Sequence, residues 1–156
     1  MVNLSKCIGI LLFFIIGGCK DEYTICDVSL SVSEKNGFYH NAAGVDQIVY
    51  APNFSLTELG SPTPIYSGVL NNSKFSIPLN PLKDSSKFQI SINNMTTIDT
   101  ITFIYNSHSV NISVDCGNIY VNNLTSVWTT KHKLDSVTVS NNVVNNLSGE
   151  NVKIYF

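Results

Sequence analysis

The chain contains no arginine: its nine basic residues are all lysines. It therefore lacks the rigid bidentate fork that proteins set against phosphates, carboxylates and guanine edges. Charge of either sign is scarce. Only 13% of residues are charged and the net charge is −2, so no bulk electrostatic pull toward nucleic acid exists. Histidine is limited to His40, His108 and His132, scattered among polar neighbours and read as surface residues. No Cys-x-x-Cys, His-x-x-x-His, phosphate loop or Gly-x-Ser-x-Gly elbow occurs. The regular spacing of a calcium-binding hand is missing too. The pattern thus points to no catalytic residues, no cofactor and no metal ligands. No apolar run approaches the ~20 residues of a membrane-spanning helix.

What is present begins with an address. Lys6 is followed by a short apolar run from Cys7 to Ile16, then by Gly17, Gly18 and Cys19. A charged start, an apolar centre and a small-residue exit define a secretory signal, here residues 1–18. Ile16-Gly17-Gly18-Cys19 resembles the lipobox of bacterial lipoproteins. The resemblance implies that Cys19 takes a diacylglyceryl group, becomes the first mature residue and is further acylated, for example with palmitate. Several acyl chains, each gaining ~0.8 kcal/mol per buried methylene, anchor far more firmly than one. Residues 19–23 then form a tether. Its Lys20-Asp21-Glu22 resembles the surface-export signal of Bacteroidota-type lipoproteins, or is simply a solvated linker.

Four cysteines reduce to two once Cys7 leaves with the signal and Cys19 is lipidated. Cys26 and Cys116 remain as an even pair in an oxidising compartment, and a disulfide between them is expected. Cys26 alternates with Val28, Leu30 and Val32, and Cys116 with Val110, Ile112 and Val114. Both are therefore expected on core-facing sides of strands. Such a bridge closes a loop of roughly 90 residues, for which chain entropy gives an upper figure of about 4–5 kcal/mol.

Hydrophobic residues make up 44% of the chain, enough for one core. After residue 23 the pattern is period two, with strands expected at Thr24–Ser33, Gln47–Ala51, Phe54–Leu59, Lys74–Leu79, Lys87–Asn93 and Thr100–Asn106. Further strands are expected at Ser109–Cys116, Asn118–Val121, Ser126–Thr130, Leu134–Ser140 and Asn151–Phe156. Residues 34–46, with Gly37, Asn41 and Gly44, read as a long loop, and Pro62 and Pro64 as a break or an edge. The doublets Asn71-Asn72, Asn93-Asn94, Asn122-Asn123, Asn141-Asn142 and Asn145-Asn146 read as turns, because Asn tolerates left-handed angles and bonds its own backbone. The expected fold is all-β: a single antiparallel β-sandwich, immunoglobulin-like or small-barrel-like, over residues 24–156. Alternating Val152, Ile154 and Phe156 also suit the last strand of an outer-membrane barrel, but most runs fall short of its ~9–11 residues.

Three stretches, Thr97 to Tyr105, Ile112 to Gly117 and Glu150 to Phe156, stand together, and Phe75–Leu79 and Asp21–Cys26 fit the same pattern. In this the chain resembles the small Bacteroidota lipoproteins catalogued only as a domain of unknown function. The likeness covers most of residues 19–156, is best after residue 73 and is poor over 34–66. It implies an envelope lipoprotein with paired cysteines and brings no activity with it.

The resulting expectation is a lipid-anchored protein of the outer membrane, on its periplasmic or outer face. It would act as a non-enzymatic binding or structural module for an envelope or extracellular protein or glycan. The alternative is an enzyme acting on polysaccharide, which needs two carboxylates at one site; Asp84, Asp99, Asp115, Asp135 and Glu150 are the candidates. Asp99-Thr100-Ile101 and Asp135-Ser136-Val137 resemble the acceptor motif of Bacteroidota O-glycosylation, but such tripeptides occur often by chance and a plain strand entry accounts for them better.

Overall fold

The computed structural model describes Cys26, residues 28–93 and residues 97–156. The signal, Cys19, Lys20-Asp21-Glu22 and the first residues of the expected leading strand lie outside the described residues. Eleven strands follow: β1 (Glu34–Ala42), β2 (Val45–Ile48), β3 (Ala51–Glu58), β4 (Tyr66–Asn72), β5 (Lys74–Ile77) and β6 (Ser85–Ile92). The rest are β7 (Asp99–Ser113), β8 (Gly117–Thr129), β9 (Ser136–Val139), β10 (Val143–Val144) and β11 (Val152–Tyr155). One sheet has the order β2-β1-β11-β9, with β5 also paired to β1; the other runs β10-β8-β7-β6-β3-β4. All pairings are antiparallel except β1 with β11, which is parallel. The all-β sandwich read from the alternation is therefore the fold.

Alternation drives the packing where it is clean. In β6, Ser86, Phe88, Ile90 and Ile92 are buried, while Lys87 and Gln89 point to solvent. Phe38 on β1 is the hub of the core. Its ring lies 5.6 Å from Phe54, 5.1 Å from Phe75 and 5.4 Å from the C-terminal Phe156. Such aromatic contacts add about 0.5–1.5 kcal/mol each beyond their area burial. Val152 and Ile154 of β11 are fully buried, so the last strand sits in the middle of a sheet and closes the core.

Several local expectations are corrected. Residues 28–33 form no strand, and Val28 and Leu30 are exposed; the first strand starts at Glu34. The stretch 34–46 is no loop but the β1–β2 hairpin, closed by Ala43 (φ 53°) and Gly44 (φ 85°). Positive angles at both central residues match the twist of a two-residue hairpin. Asn41 secures the turn: its Oδ1 accepts the Gly44 N–H at 3.0 Å. Asn71 and Asn93 do adopt left-handed angles, and Asn141 and Asn145 cap turns through their side-chain oxygens. Asn122-Asn123, by contrast, lies inside β8, where the Asn122 side chain accepts a 2.6 Å bond from Ser107. β4 and the short β10 were not anticipated.

Two pairs of expected strands are fused. Thr100–Asn106 and Ser109–Cys116 become the single strand β7, and Asn118–Val121 and Ser126–Thr130 become β8, with a register shift opposite Ile104 and Tyr105. β6 pairs with β7 only as far as Ile104. Beyond that point β7 continues beside β8, which β10 flanks at Asn122 and Asn123, and from His108 onward the pair runs on as a two-stranded arm roughly 20 Å long. Polar Asn106 and His108 are tolerated within the strand because both side chains are exposed.

The disulfide Cys26–Cys116 is formed, with Cα atoms 5.2 Å apart, but not in the core. Cys116 sits in the turn at the arm's tip, where Val114 is 98% exposed. The alternation of Val110, Ile112 and Val114 continued along the arm after the core had ended. The bond thus ties the chain's incoming segment to the arm tip, and Asn146 Nδ2 holds the same segment at Ser29 O (2.9 Å). Replacing Cys26 and Cys116 with Ser should lower unfolding stability by about 2–4 kcal/mol in denaturant titrations. An unchanged midpoint would show that the bond constrains nothing.

Candidate functional site

The outward face of the first sheet carries the densest polar network among the described residues. β1 points Phe38 into the core, so Lys35, Gly37, Tyr39 and Asn41 face out. The same rule brings Lys153 and Tyr155 out on β11, and Lys74 and Ser76 on β5. Register then fixes neighbours: Gly37 lies between Lys74 and Lys153, and Tyr39 lies beside Tyr155. Asp46 on β2 joins three of them. It accepts bonds from Lys153 Nζ (2.8 Å), Tyr155 OH (3.0 Å) and Asn41 Nδ2 (2.9 Å). Its carboxyl is held below the usual range, first by the Lys153 hydrogen bond and then by Asn41. Lys153 is correspondingly raised by Asp46 and lies 4.9 Å above the Tyr39 ring.

Glu150 enters this face through a gap left by glycine. A Cβ at Gly37 would collide with Glu150 Oε2 and come within 2.7 Å of the Tyr39 ring. Without it, the carboxylate crosses β1 and both oxygens accept from Tyr39 OH at 3.0 Å. Burial and then the bond to Glu150 raise the Tyr39 phenol above its ordinary value. Between Glu150 and β5 runs a groove of about 430 Å³ walled by Lys35, Tyr66, Lys74 and Phe75. A smaller hollow of about 300 Å³ lies at the end near the β1–β2 turn, lined by His40, Asn41, Asp135, Ser136, Thr138 and Tyr155.

Behind the groove, on the inward side of β1, Glu34 is fully buried beside Asn36. Asn36 Nδ2 donates to Glu34 Oε2, while Glu34 Oε1 and Asn36 Oδ1 have no hydrogen-bond partner among the described residues. One proton resolves this: on Oε1 it donates to Asn36 Oδ1 and closes a cyclic acid–amide pair. Burial, opposed by the Asn36 bond and aided by the Glu150 charge, pushes this carboxyl up to about 8.

The residues singled out from sequence scatter. Asp99 is buried and fully engaged: its Oδ1 accepts from Thr130 Oγ1 (2.7 Å), His132 N (2.8 Å) and the His132 ring (3.1 Å). Its Oδ2 accepts from the backbone of Lys133 (2.7 Å) and Leu134 (2.9 Å). Burial works against its charge, but these bonds, led by the His132 backbone, hold the carboxyl below its ordinary value. Asp99 therefore staples the loop 130–134 to the start of β7. Asp84 lines a shallow hollow at the base of the arm, Asp115 is exposed in the arm's turn, and Asp135 is exposed beside Ser136. These acids do not converge; only Glu150 joins the network. His40 and His108 are exposed, as expected of surface histidines. Tyr39, Asp46, Lys153 and Tyr155 were missed. The outward series Lys35, Gly37, Tyr39, Asn41 was the available signal, obscured because Gly37 and Gly44 suggested a loop.

Fold and site together define a β-sandwich domain with a polar, aromatic-flanked groove on one sheet face. The chain belongs to the family described as "Family of unknown function (DUF6452)", whose model matches residues 53–156. No curated protein and no solved structure matches it. The matched region starts within β3, so Glu34, Gly37, Tyr39 and Asp46 lie before it, while Lys74, Glu150, Lys153 and Tyr155 lie inside it.

The Glu34–Asn36 pair makes stability depend on pH. A glutamate's ordinary value is 4.5, and burial pushes the Glu34 carboxyl up to about 8 in the folded protein. The folded protein holds the proton more tightly, so the stability present below pH 4.5 is lost progressively as pH rises to about 8. The loss is about 1.4 kcal/mol per pH unit. Asp46 and Asp99 are shifted downward and act below this window. Glu34→Gln keeps both hydrogen bonds without a titrating proton, so its stability should stay flat across the window while the parent's falls. Parallel slopes in denaturant titrations would refute the neutral pair.

Proposed function

We propose that the chain is a lipid-anchored protein of a Bacteroidota-type outer membrane whose β-sandwich acts as a non-enzymatic binding module. The signal pattern and Ile16-Gly17-Gly18-Cys19 support the anchor. The observation that carries the reading is the bond between Cys26 and Cys116. Cys26 follows Cys19 so closely that even a fully extended tether reaches only about 25 Å. The arm tip is thereby held near the lipid.

The strand directions then orient the rest. β7 runs from Asp99 to the arm tip, and β6 and β3 alternate with it. The Ala43-Gly44 turn and the loop that Asp99 staples lie at the opposite end, facing away from the membrane. The sheet face with Tyr39, Glu150 and Tyr155 stands along the side of the molecule, accessible to an envelope or extracellular partner. Catalysis receives no support from the two most deeply buried carboxyls. Glu34 and Asp99 are both closed to solvent and bound within the fold.

Cys19→Ala tests the anchor. The parent should yield a mature protein that begins at Cys19, with intact mass raised by diacylglyceryl and acyl groups. The variant should retain its signal and carry no lipid. Normal maturation of the variant would overturn the reading.

A further inference from the structure

We propose that the groove between Glu150 and β5 is a binding site for an acidic sugar residue, a uronate unit of a glycan. This deepens the binding-module reading and rests on it. Glycine inside a strand paired on both edges weakens that strand, a cost usually tied to close approach of another group. Here the group is the Glu150 carboxylate, which Tyr39 OH holds over β1 at 3.0 Å from both oxygens. Each oxygen keeps a lone pair for a further donor.

Lys74, paired with Gly37 across the strands, stands on the opposite lip and is exposed. Cross-strand geometry puts its Cβ about 5 Å from the glycine position. Among the described residues its ammonium makes no ion pair and no hydrogen bond. Lys35, whose Nζ donates to Ser148 O, adds a second positive charge. Tyr66 supplies a wall: its OH is bonded to the backbone of Ser76 at 3.0 and 3.1 Å, which fixes the half-buried ring against Phe75.

The combination is selective. A plain phosphate or sulfate dianion satisfies Lys74 but offers Glu150 no hydroxyl donor. A neutral sugar can donate hydroxyls to Glu150 but leaves Lys74 unpaired. A uronate answers both, with its carboxylate toward Lys74, its hydroxyls toward Glu150 and its apolar ring face toward Tyr66. The volume of about 430 Å³ falls within the ordinary range of ligand pockets.

The test is calorimetric titration of full-length protein in detergent, with tetragalacturonate as the acidic probe and cellotetraose as the neutral one. Tetragalacturonate should bind at least tenfold more tightly. Lys74→Glu and Lys74→Gln should each weaken it at least tenfold, whereas Lys87→Glu, on the outer face of the other sheet, should not change it. Equal binding of both sugars, no binding of either, or indifference to both Lys74 substitutions overturns the site. Because the titration does not depend on membrane attachment, such a failure leaves the Cys19 anchor standing. An unlipidated protein that still binds the acidic sugar separates the two in the other direction.

Discussion

The bond between Cys26 and Cys116 fixes where the chain enters the domain, and the functional geometry depends on that point. Without it, the segment before β1 would be held chiefly by contacts such as Asn146 to Ser29. With it, the incoming chain is fastened to the far end of a two-stranded arm. The long loop it closes explains its thermodynamic worth, because it removes freedom from the unfolded chain. Its position matters more for function. A bond buried between the sheets would say nothing of orientation, whereas one at the arm tip gives the proposed anchor a proximal and a distal end to work from.

The site depends on a second constraint, the pairing of β1 along both edges. β11 lies parallel on one side, and β5 and β2 share the other. Asn151 locks this arrangement from within. Its N–H donates to Lys35 O (2.7 Å), its Oδ1 accepts the Lys35 N–H (3.1 Å), and its amide donates to Asn141 and Val143 carbonyls. That staple sets the height of Glu150, the preceding residue, above Gly37. The same register aligns Lys74, Gly37 and Lys153 in one row and Tyr39 with Tyr155 in the next. The charged groups of the groove are thus held by backbone pairing rather than by long flexible side chains.

Much of the fold was legible because burial follows period two wherever a strand has one wet face. Phe88, Ile90 and Ile92, with Lys87 and Gln89 exposed between and beside them, are of this kind. The failures have specific causes. Gly37 removes a side chain for the sake of Glu150, and so breaks the pattern that would have marked β1. Asn122 looks like a turn former but is satisfied sideways by Ser107 within a strand. The arm keeps alternating after the core ends, so the phase of Cys116 suggested burial it does not have. The candidate site was mostly illegible, since it is assembled by register between strands far apart in sequence. Pairing of the first and last strands is something that local periodicity does not specify.

The central claim is that the arm tip faces the membrane and the opposite end of the sandwich faces away. The chain's single tryptophan, Trp128, lies near that opposite end, on β8 across from Thr102, and is 48% exposed. The decisive measurement is energy transfer from tryptophan to an acceptor lipid in vesicles carrying the full-length lipidated protein. The account predicts weak transfer from Trp128 in the parent and strong transfer in the Val114→Trp/Trp128→Phe variant. Equal transfer in the two proteins, or stronger transfer from Trp128, would contradict it.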